Sequence, residues 1–197
     1  MIRRLSPADA VADLGRLVAG RGCGTCSVCC VWLTIDDREL RKAQGHRCMN
    51  LTPCDGCGIY ATRPRTCHEY FCGFRRLDWV PESLRPDLSD VLIGLRYDAP
   101  PSDAGRRLGV SFFLLSQAAL EAESLAETVA AAVTADLRVW LQIPGPPGYT
   151  AASARVDEVL LEAARTGNLA TIRRILHLAY EMGSKGDFEP IHLGDNR

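Results

Sequence analysis

The chain has 197 residues, of which 47% are hydrophobic, and its formal net charge at neutral pH is −1. Such a chain can build a real hydrophobic core, as one compact domain or as a small module fused to a modest second one. It contains no run of about 18 apolar residues and no secretory signal, so we expect no membrane association and a cytoplasmic location.

The predicted elements of the first half are short. A Ser-Pro start followed by spaced apolar residues predicts a helix over residues 6–18. Thr34 with an acidic residue three positions later resembles a capping box, which predicts a second helix over 36–44 that ends at Gly45. Prolines and glycines interrupt residues 48–72, so this stretch is predicted to be mostly loop and turn.

The second half has the pattern of an ordinary α+β fold. Strands are predicted at 91–98, 109–115 and 137–143 and are expected to form a small antiparallel sheet. Helices are predicted at 117–136, 153–166 and 168–182, the last two meeting at a Gly-Asn turn. The sequence therefore predicts a loop-rich cysteine and metal module over 1–76, with its N-terminal helix, packed on an α+β region over 77–197.

All nine cysteines lie within residues 23–72, which we term the cysteine segment. Their odd number and a reducing cytoplasm favour metal ligation or redox chemistry over a disulfide framework. Cys23, Cys26 and Cys29 form a C-x2-C-x2-C run. This spacing lets tight turns aim several sulfurs at one ion while the intervening amides donate to the thiolates.

The sulfur-rich part of the chain is also its basic part. Residues 21–76 contain nine Lys or Arg against five Asp or Glu. The excess is modest and scattered, so we interpret it as countercharge for metal-bound thiolates and consider a nucleic-acid partner unlikely.

Three motifs of the cysteine segment together resemble a known family. CGTCSVCC at 23–30, CGIYATRP at 57–64 and RPRTCHEYFC at 63–72 are similar to the bacterial YkgJ-type family of CxxCxxCC proteins, described as zinc- or iron-chelating domains and sometimes as iron-sulfur oxidoreductases. The resemblance covers about residues 20–76. It implies eight metal ligands, which are Cys23, Cys26, Cys29, Cys30, Cys48, Cys57, Cys67 and Cys72.

The chain departs from the family pattern at two positions. Cys54 is an extra cysteine that forms a local C-x2-C with Cys57, so it is a possible substitute ligand. His68 stands where the family usually has Arg, and is either a ligand or a surface residue. Arg63 and its neighbours in IYATRP are expected to support the thiolates, with a substrate-facing edge as the alternative.

Neither the number of sites nor the metal follows from the residues alone. Eight cysteines permit two four-thiolate sites, or one iron-sulfur cluster with residual thiols. Cys29 and Cys30, if extended, would point to opposite sides, which favours two sites. Thiolates suit both zinc and iron-sulfur clusters, so both cofactors remain open.

Two functions of different class follow from this cluster. The first is a structural or accessory metal-binding protein whose closed sites organise loops for a protein partner. The second is an iron-sulfur redox protein or metalloenzyme with an open site. The common catalytic motifs are absent from the sequence, so no catalytic residue is assigned and enzyme activity stays an open question.

Overall fold

The structure, a computed structural model, describes residues 16–54, 56–100, 102–103 and 107–194. The helix predicted over 6–18 lies outside these residues except for its last three, which are not helical. Across the described ranges, no helix combines the length and apolarity needed to span a bilayer.

The architecture is α+β, as predicted. The helices are α1 Val28–Trp32, α2 Arg65–Glu69, α3 Gly73–Arg76, α4 Pro86–Ser89, α5 Leu125–Thr134, α6 Asp157–Thr166 and α7 Leu169–Ser184. The strands are β1 Ile35–Asp36, β2 Arg41–Lys42, β3 Val91–Tyr97, β4 Leu108–Leu114, β5 Arg138–Ile143 and β6 Ala152–Arg155. Short 3-10 turns lie at Tyr60–Thr62, Glu82–Leu84 and Gln117–Glu121.

The main sheet has the strand order β3-β4-β5-β6. The antiparallel pairing of β3 with β4 was predicted and is confirmed, with Val91 opposite Leu114. The prediction that all three strands are antiparallel was wrong, because β5 runs parallel to β4 with Val110 opposite Val139. The chain crosses back through α5 between these strands, which is the connection that parallel neighbours require. The sheet is therefore mixed.

Three helices cover one face of this sheet and enclose the main core. Phe112 of β4, Leu141 of β5, Leu160 of α6 and Ile172 of α7 are fully buried there. The single helix predicted over 117–136 is instead a 3-10 turn followed by α5. Ser124, with a left-handed φ of 66°, separates the two and redirects the chain before α5 begins.

The helix predicted over 36–44 is a β-hairpin, formed by β1 and β2. The Asp37 carboxylate accepts a hydrogen bond from the Glu39 amide and so closes the turn. From Leu40 onward, alternate side chains point inward, and the buried ones include Lys42 and Gln44. A period of two is the signature of a strand, but polar inward residues conceal it in the sequence.

The cysteine segment packs on the edge strand and on the other face of the sheet. Leu92 of β3 and Phe113 of β4 form a second, smaller core with Trp32 and Val28 of α1. Gly73 of α3 lies so close to Ile93 that an added Cβ would stand 2.5 Å from its Cγ2. The sheet thus supports the sulfur-rich loops directly.

Candidate metal centre

Two adjoining cavities lie in the cysteine segment. The larger has a volume of about 150 Å³ and the smaller about 40 Å³. Thiols line the larger cavity at Cys23, Cys26, Cys29, Cys30, Cys48, Cys57 and Cys67. Those lining the smaller one belong to Cys23, Cys26, Cys29 and Cys72. The structure thus gathers all eight sequence-predicted cysteines around two neighbouring spaces.

The two remaining candidates stand apart from these cavities. Cys54 is exposed and lines neither of them. His68 is exposed on α2 and also lines neither. All nine cysteines are free thiols. Within the part of the chain that the structure describes, no three Cys, His, Asp or Glu side chains form a ready-made metal-binding group.

The first four cysteines are positioned by a turn and a short helix. The Cys26 amide donates to the Cys23 carbonyl at 2.8 Å, which closes a tight turn. Cys29 and Cys30 lie in α1, so the interpretation of this pair as extended was wrong. In a helix, adjacent side chains diverge by about 100° rather than 180°. Cys29 accordingly borders both cavities and Cys30 only the larger one.

A second set of backbone contacts joins the later cysteines to α1. The Cys48 amide donates to the Cys30 carbonyl at 3.0 Å. Leu51 connects the next two positions, because its amide donates to the Cys48 carbonyl and it forms an isolated antiparallel bridge with Cys57. Cys67 follows on α2. Backbone contacts thus connect Cys30, Cys48 and Cys57, and Cys67 lines the same cavity.

Cys72 stands at the entrance to α3, beside the sheet. Its thiol accepts hydrogen bonds from the amides of Arg75 and Phe74, which favour the thiolate and lower its pKa. Burial has the larger effect, and the pKa of Cys72 is raised overall. Leu92 of β3 lines the same small cavity, so the sheet forms one wall of the site.

Most of the perturbed thiols hold their protons tightly. Burial raises the pKa of Cys26 to about 11, and it also raises the pKa of Cys67. The pKa of Cys29 is raised because its thiol donates a hydrogen bond to Cys30 and because it is buried. Metal binding at these positions must therefore displace protons, which makes affinity depend on pH.

Cys30 is the exception. Its pKa is lowered to about 7 by the hydrogen bond that it accepts from Cys29, and the positive charges of Lys42 and Arg63 act in the same direction. These three influences outweigh the opposing effect of burial. Near neutral pH, Cys30 is therefore more ready to become a thiolate than Cys26, Cys29, Cys67 or Cys72.

Lys42 also fixes the helix that carries Cys29 and Cys30. Its ammonium donates to the carbonyls of Val31 and Leu33, at the end of α1, and to that of Ala43. The residue is only 6% exposed, and burial lowers the pKa of its ammonium. A lysine that satisfies terminal carbonyls is a common way to end a helix. The sequence prediction missed this role because the residue was assigned to a helix.

Two arginines face the cavities with unused hydrogen-bond donors. Arg63 lines the larger cavity and stacks 4.1 Å from the Tyr60 ring centroid. Arg75 lines the smaller cavity, 5.4 Å from the Phe71 ring centroid. The Nε atoms of both are buried and have no hydrogen-bond partner among the described residues. Such donors fit an anionic group, and metal-bound thiolates are one.

The sequence prediction named Arg63 as a support for the thiolates, whereas Arg75 was missed. The basic excess of residues 21–76 was the available signal for both.

In the comparisons with known proteins, no family model, no curated protein and no solved structure matches this chain. The resemblance to the YkgJ-type family therefore stays a prediction.

Proposed function

We propose that the chain is a metal-binding protein that holds zinc or an iron-sulfur cluster through thiolates of the cysteine segment, in a structural or accessory role. The observation that carries this proposal is the convergence of eight of the nine thiols on two adjoining cavities. Cysteines that served only as small apolar side chains would pack against neighbours, as Cys72 partly does in the core.

The electrostatics support the same reading. Thiolates gathered in one place repel one another, and cations placed beside them offset this repulsion. Lys42 and Arg63 act on Cys30, while Arg75 acts on Cys72. The donor set is all sulfur, which suits zinc and iron-sulfur clusters and does not suit magnesium or calcium.

The loops themselves have few other means of support. Among the described residues of 48–72, Cys48 and Pro64 are buried, and the others are at least partly exposed. Little apolar burial means little hydrophobic stabilisation. A bound metal would cross-link these loops, and its binding free energy would become folding free energy.

The test is anaerobic purification followed by metal analysis, sulfide analysis and an absorption spectrum. We expect stoichiometric zinc, or iron with labile sulfide and visible charge-transfer absorption. Cys26→Ser should lower the metal content, and Cys54→Ser is the matched control because Cys54 lines neither cavity. The proposal fails if neither metal copurifies or can be reconstituted and Cys26→Ser is as stable as the wild-type protein.

A second candidate is an iron-sulfur redox protein or metalloenzyme, and the size of the larger cavity favours it. About 150 Å³ is room for about five water molecules at roughly 30 Å³ each. Tyr60, Tyr70 and Asn50 also border this space. Structural metal sites are closed, whereas catalytic sites keep an open position. Reversible reduction of the purified protein by dithionite would support the iron-sulfur form of this candidate, and a colourless zinc protein would contradict that form.

A further inference from the structure

The eight cavity-lining cysteines divide into two groups of four by the space that they border. One group lines the smaller cavity and consists of Cys23, Cys26, Cys29 and Cys72, of which the first three also border the larger cavity. The other group lines the larger cavity alone and consists of Cys30, Cys48, Cys57 and Cys67. Four thiolates are the complete ligand set of a tetrahedral zinc site or of a four-iron cluster.

Electrostatic neighbours follow the same division for Cys67 and Cys26, whereas Cys29 interacts with Cys30 across it. The thiols that act on Cys67 are those of Cys30, Cys48 and Cys57. For Cys26, the acting thiols are those of Cys72 and Cys23. The backbone agrees with this grouping, since the contacts that run from Cys30 through Cys48 to Cys57 remain within the second group.

The boundary between the groups falls between two adjacent residues. Cys29 and Cys30 lie on α1, where their side chains diverge, and their thiols are hydrogen-bonded to each other. The helix thus places Cys29 at both cavities and Cys30 at the larger cavity alone. Two metal ions would account for the presence of two adjacent cysteine ligands, which one shared ion would not.

Each cavity also has one guanidinium with an unused donor. Arg63 lines only the larger cavity and Arg75 only the smaller, and the Nε of each is buried without a partner within the described ranges. Arg85 also lines the smaller cavity, but it forms a two-point ion pair with Asp87 at 2.6 Å. Zinc held by four thiolates carries a net charge of about −2, which one guanidinium would partly offset.

We infer that the chain binds two separate metal centres with four thiolates each, centre A at the smaller cavity with Arg75 and centre B at the larger cavity with Arg63. This inference rests on the proposed function. Centre A is the smaller, lies against Leu92 of the sheet, and is the structural centre. Centre B borders the larger space and is the centre with room for a further ligand.

The test counts the zinc ions held by the full chain. Metal-free protein is reconstituted anaerobically with Zn²⁺ alone, and native mass spectrometry gives the stoichiometry. Wild type and the control Cys54→Ser should bind two ions. Cys26→Ser/Cys72→Ser and Cys48→Ser/Cys67→Ser should each retain one. One ion in the wild-type protein, or loss of both ions from either double variant, overturns the inference of two centres.

Arginine variants keep the test decisive if a double cysteine variant does not fold, because they leave every thiol in place. In competition with a chelator, Arg75→Met and Arg63→Met should each lower the affinity for one of the two zinc ions by about 10- to 100-fold. The control Arg76→Met, whose side chain also lies beside Phe71 but lines neither cavity, should weaken neither. Equal weakening of both ions, or no weakening, contradicts the inference. A wild-type protein that binds no zinc and no iron refutes the proposed function itself.

Discussion

Arg21 connects the start of the cysteine segment to the chain that leads into the sheet. Its guanidinium donates to the carbonyls of Phe74 and Val80 at 2.7 Å and of Leu77 at 3.0 Å. It also stacks 4.6 Å from the Phe74 ring centroid. The ion pair with Glu82 contributes little, because that carboxylate is 69% exposed.

Replacing Arg21 by Met removes three charge-assisted hydrogen bonds and leaves three carbonyls without this donor. Such bonds are worth roughly 1.5–3 kcal/mol each when fully buried. The carbonyls belong to buried residues, but the Arg21 side chain is 11% exposed and the bonds are part-buried, so solvent screens each of them and we use about 1 kcal/mol each. We expect Arg21→Met to lower the free energy of unfolding by about 3 kcal/mol, and Arg21→Lys by about 2 kcal/mol, because an ammonium lacks the planar fork.

Urea denaturation at a fixed, saturating zinc concentration measures this loss by linear extrapolation, because bound metal keeps the cysteine segment folded. The matched control is Arg65→Met, since Arg65 is 85% exposed and pairs with Glu69 on its own helix. That control should leave the free energy of unfolding nearly unchanged, because an exposed ion pair contributes little. If Arg21→Met is no more destabilising than Arg65→Met, the connecting role of Arg21 is wrong.

Three further predictions concern packing, thiol acidity and metal removal. Gly73→Ala should destabilise the protein by about 1–3 kcal/mol in thermal denaturation, because the new Cβ would stand 2.5 Å from Ile93 Cγ2, whereas Gly22→Ala, with its nearest neighbour at 3.8 Å, should be neutral. Without metal, iodoacetamide should alkylate Cys30 before Cys26. The rate at Cys30 should rise through pH about 7, while Cys26 reacts only towards pH 11. Peptide mass spectrometry measures the labelling, and equal labelling of both residues near pH 9 would contradict this order. Chelation should remove hydrogen-exchange protection from the cysteine segment while β3, β4 and β5 keep theirs; uniform loss would count against local stabilisation by metal.

The sign of the Cys30 effect on stability follows from its lowered pKa. The ionised thiol is favoured by the folded protein, so its contribution to stability is present above the ordinary thiol pKa of 9.0. That contribution is lost as the pH falls through about 7. Cys26 acts in the opposite direction, because its raised pKa favours the neutral thiol, and its contribution is lost as the pH rises from 9.0 through about 11.

Regular hydrophobic patterns identified the second half of the fold well. Strands β3, β4 and β5 and helices α6 and α7 lie within a few residues of their predicted bounds, since each carries a clear apolar period. The strand β6 was missed because it is an edge strand without buried side chains. The parallel pairing of β4 with β5 is determined by tertiary packing, which local sequence patterns do not encode.

The candidate site was predictable in its chemistry but not in its arrangement. The resemblance to the YkgJ-type family implied the eight residues that line the cavities, whereas spacing alone singled out Cys23, Cys26 and Cys29. Their division into two groups depends on α1, which turns Cys29 and Cys30 to different spaces. It also depends on cations such as Lys42, whose burial in a hairpin contradicts the ordinary preference of lysine for solvent.

The buried ammonium of Lys42 couples two properties that are separate in most thiol sites. It holds the last carbonyls of α1 in place, and it also increases the acidity of Cys30. A substitution that changes this acidity at Lys42 therefore also releases the end of the helix and shifts both adjacent sulfurs. Lys42 thus couples the proton affinity of Cys30 to the position of α1. A substitution at Lys42 that changes the thiol acidity in one cavity would also displace the sulfurs that border the other.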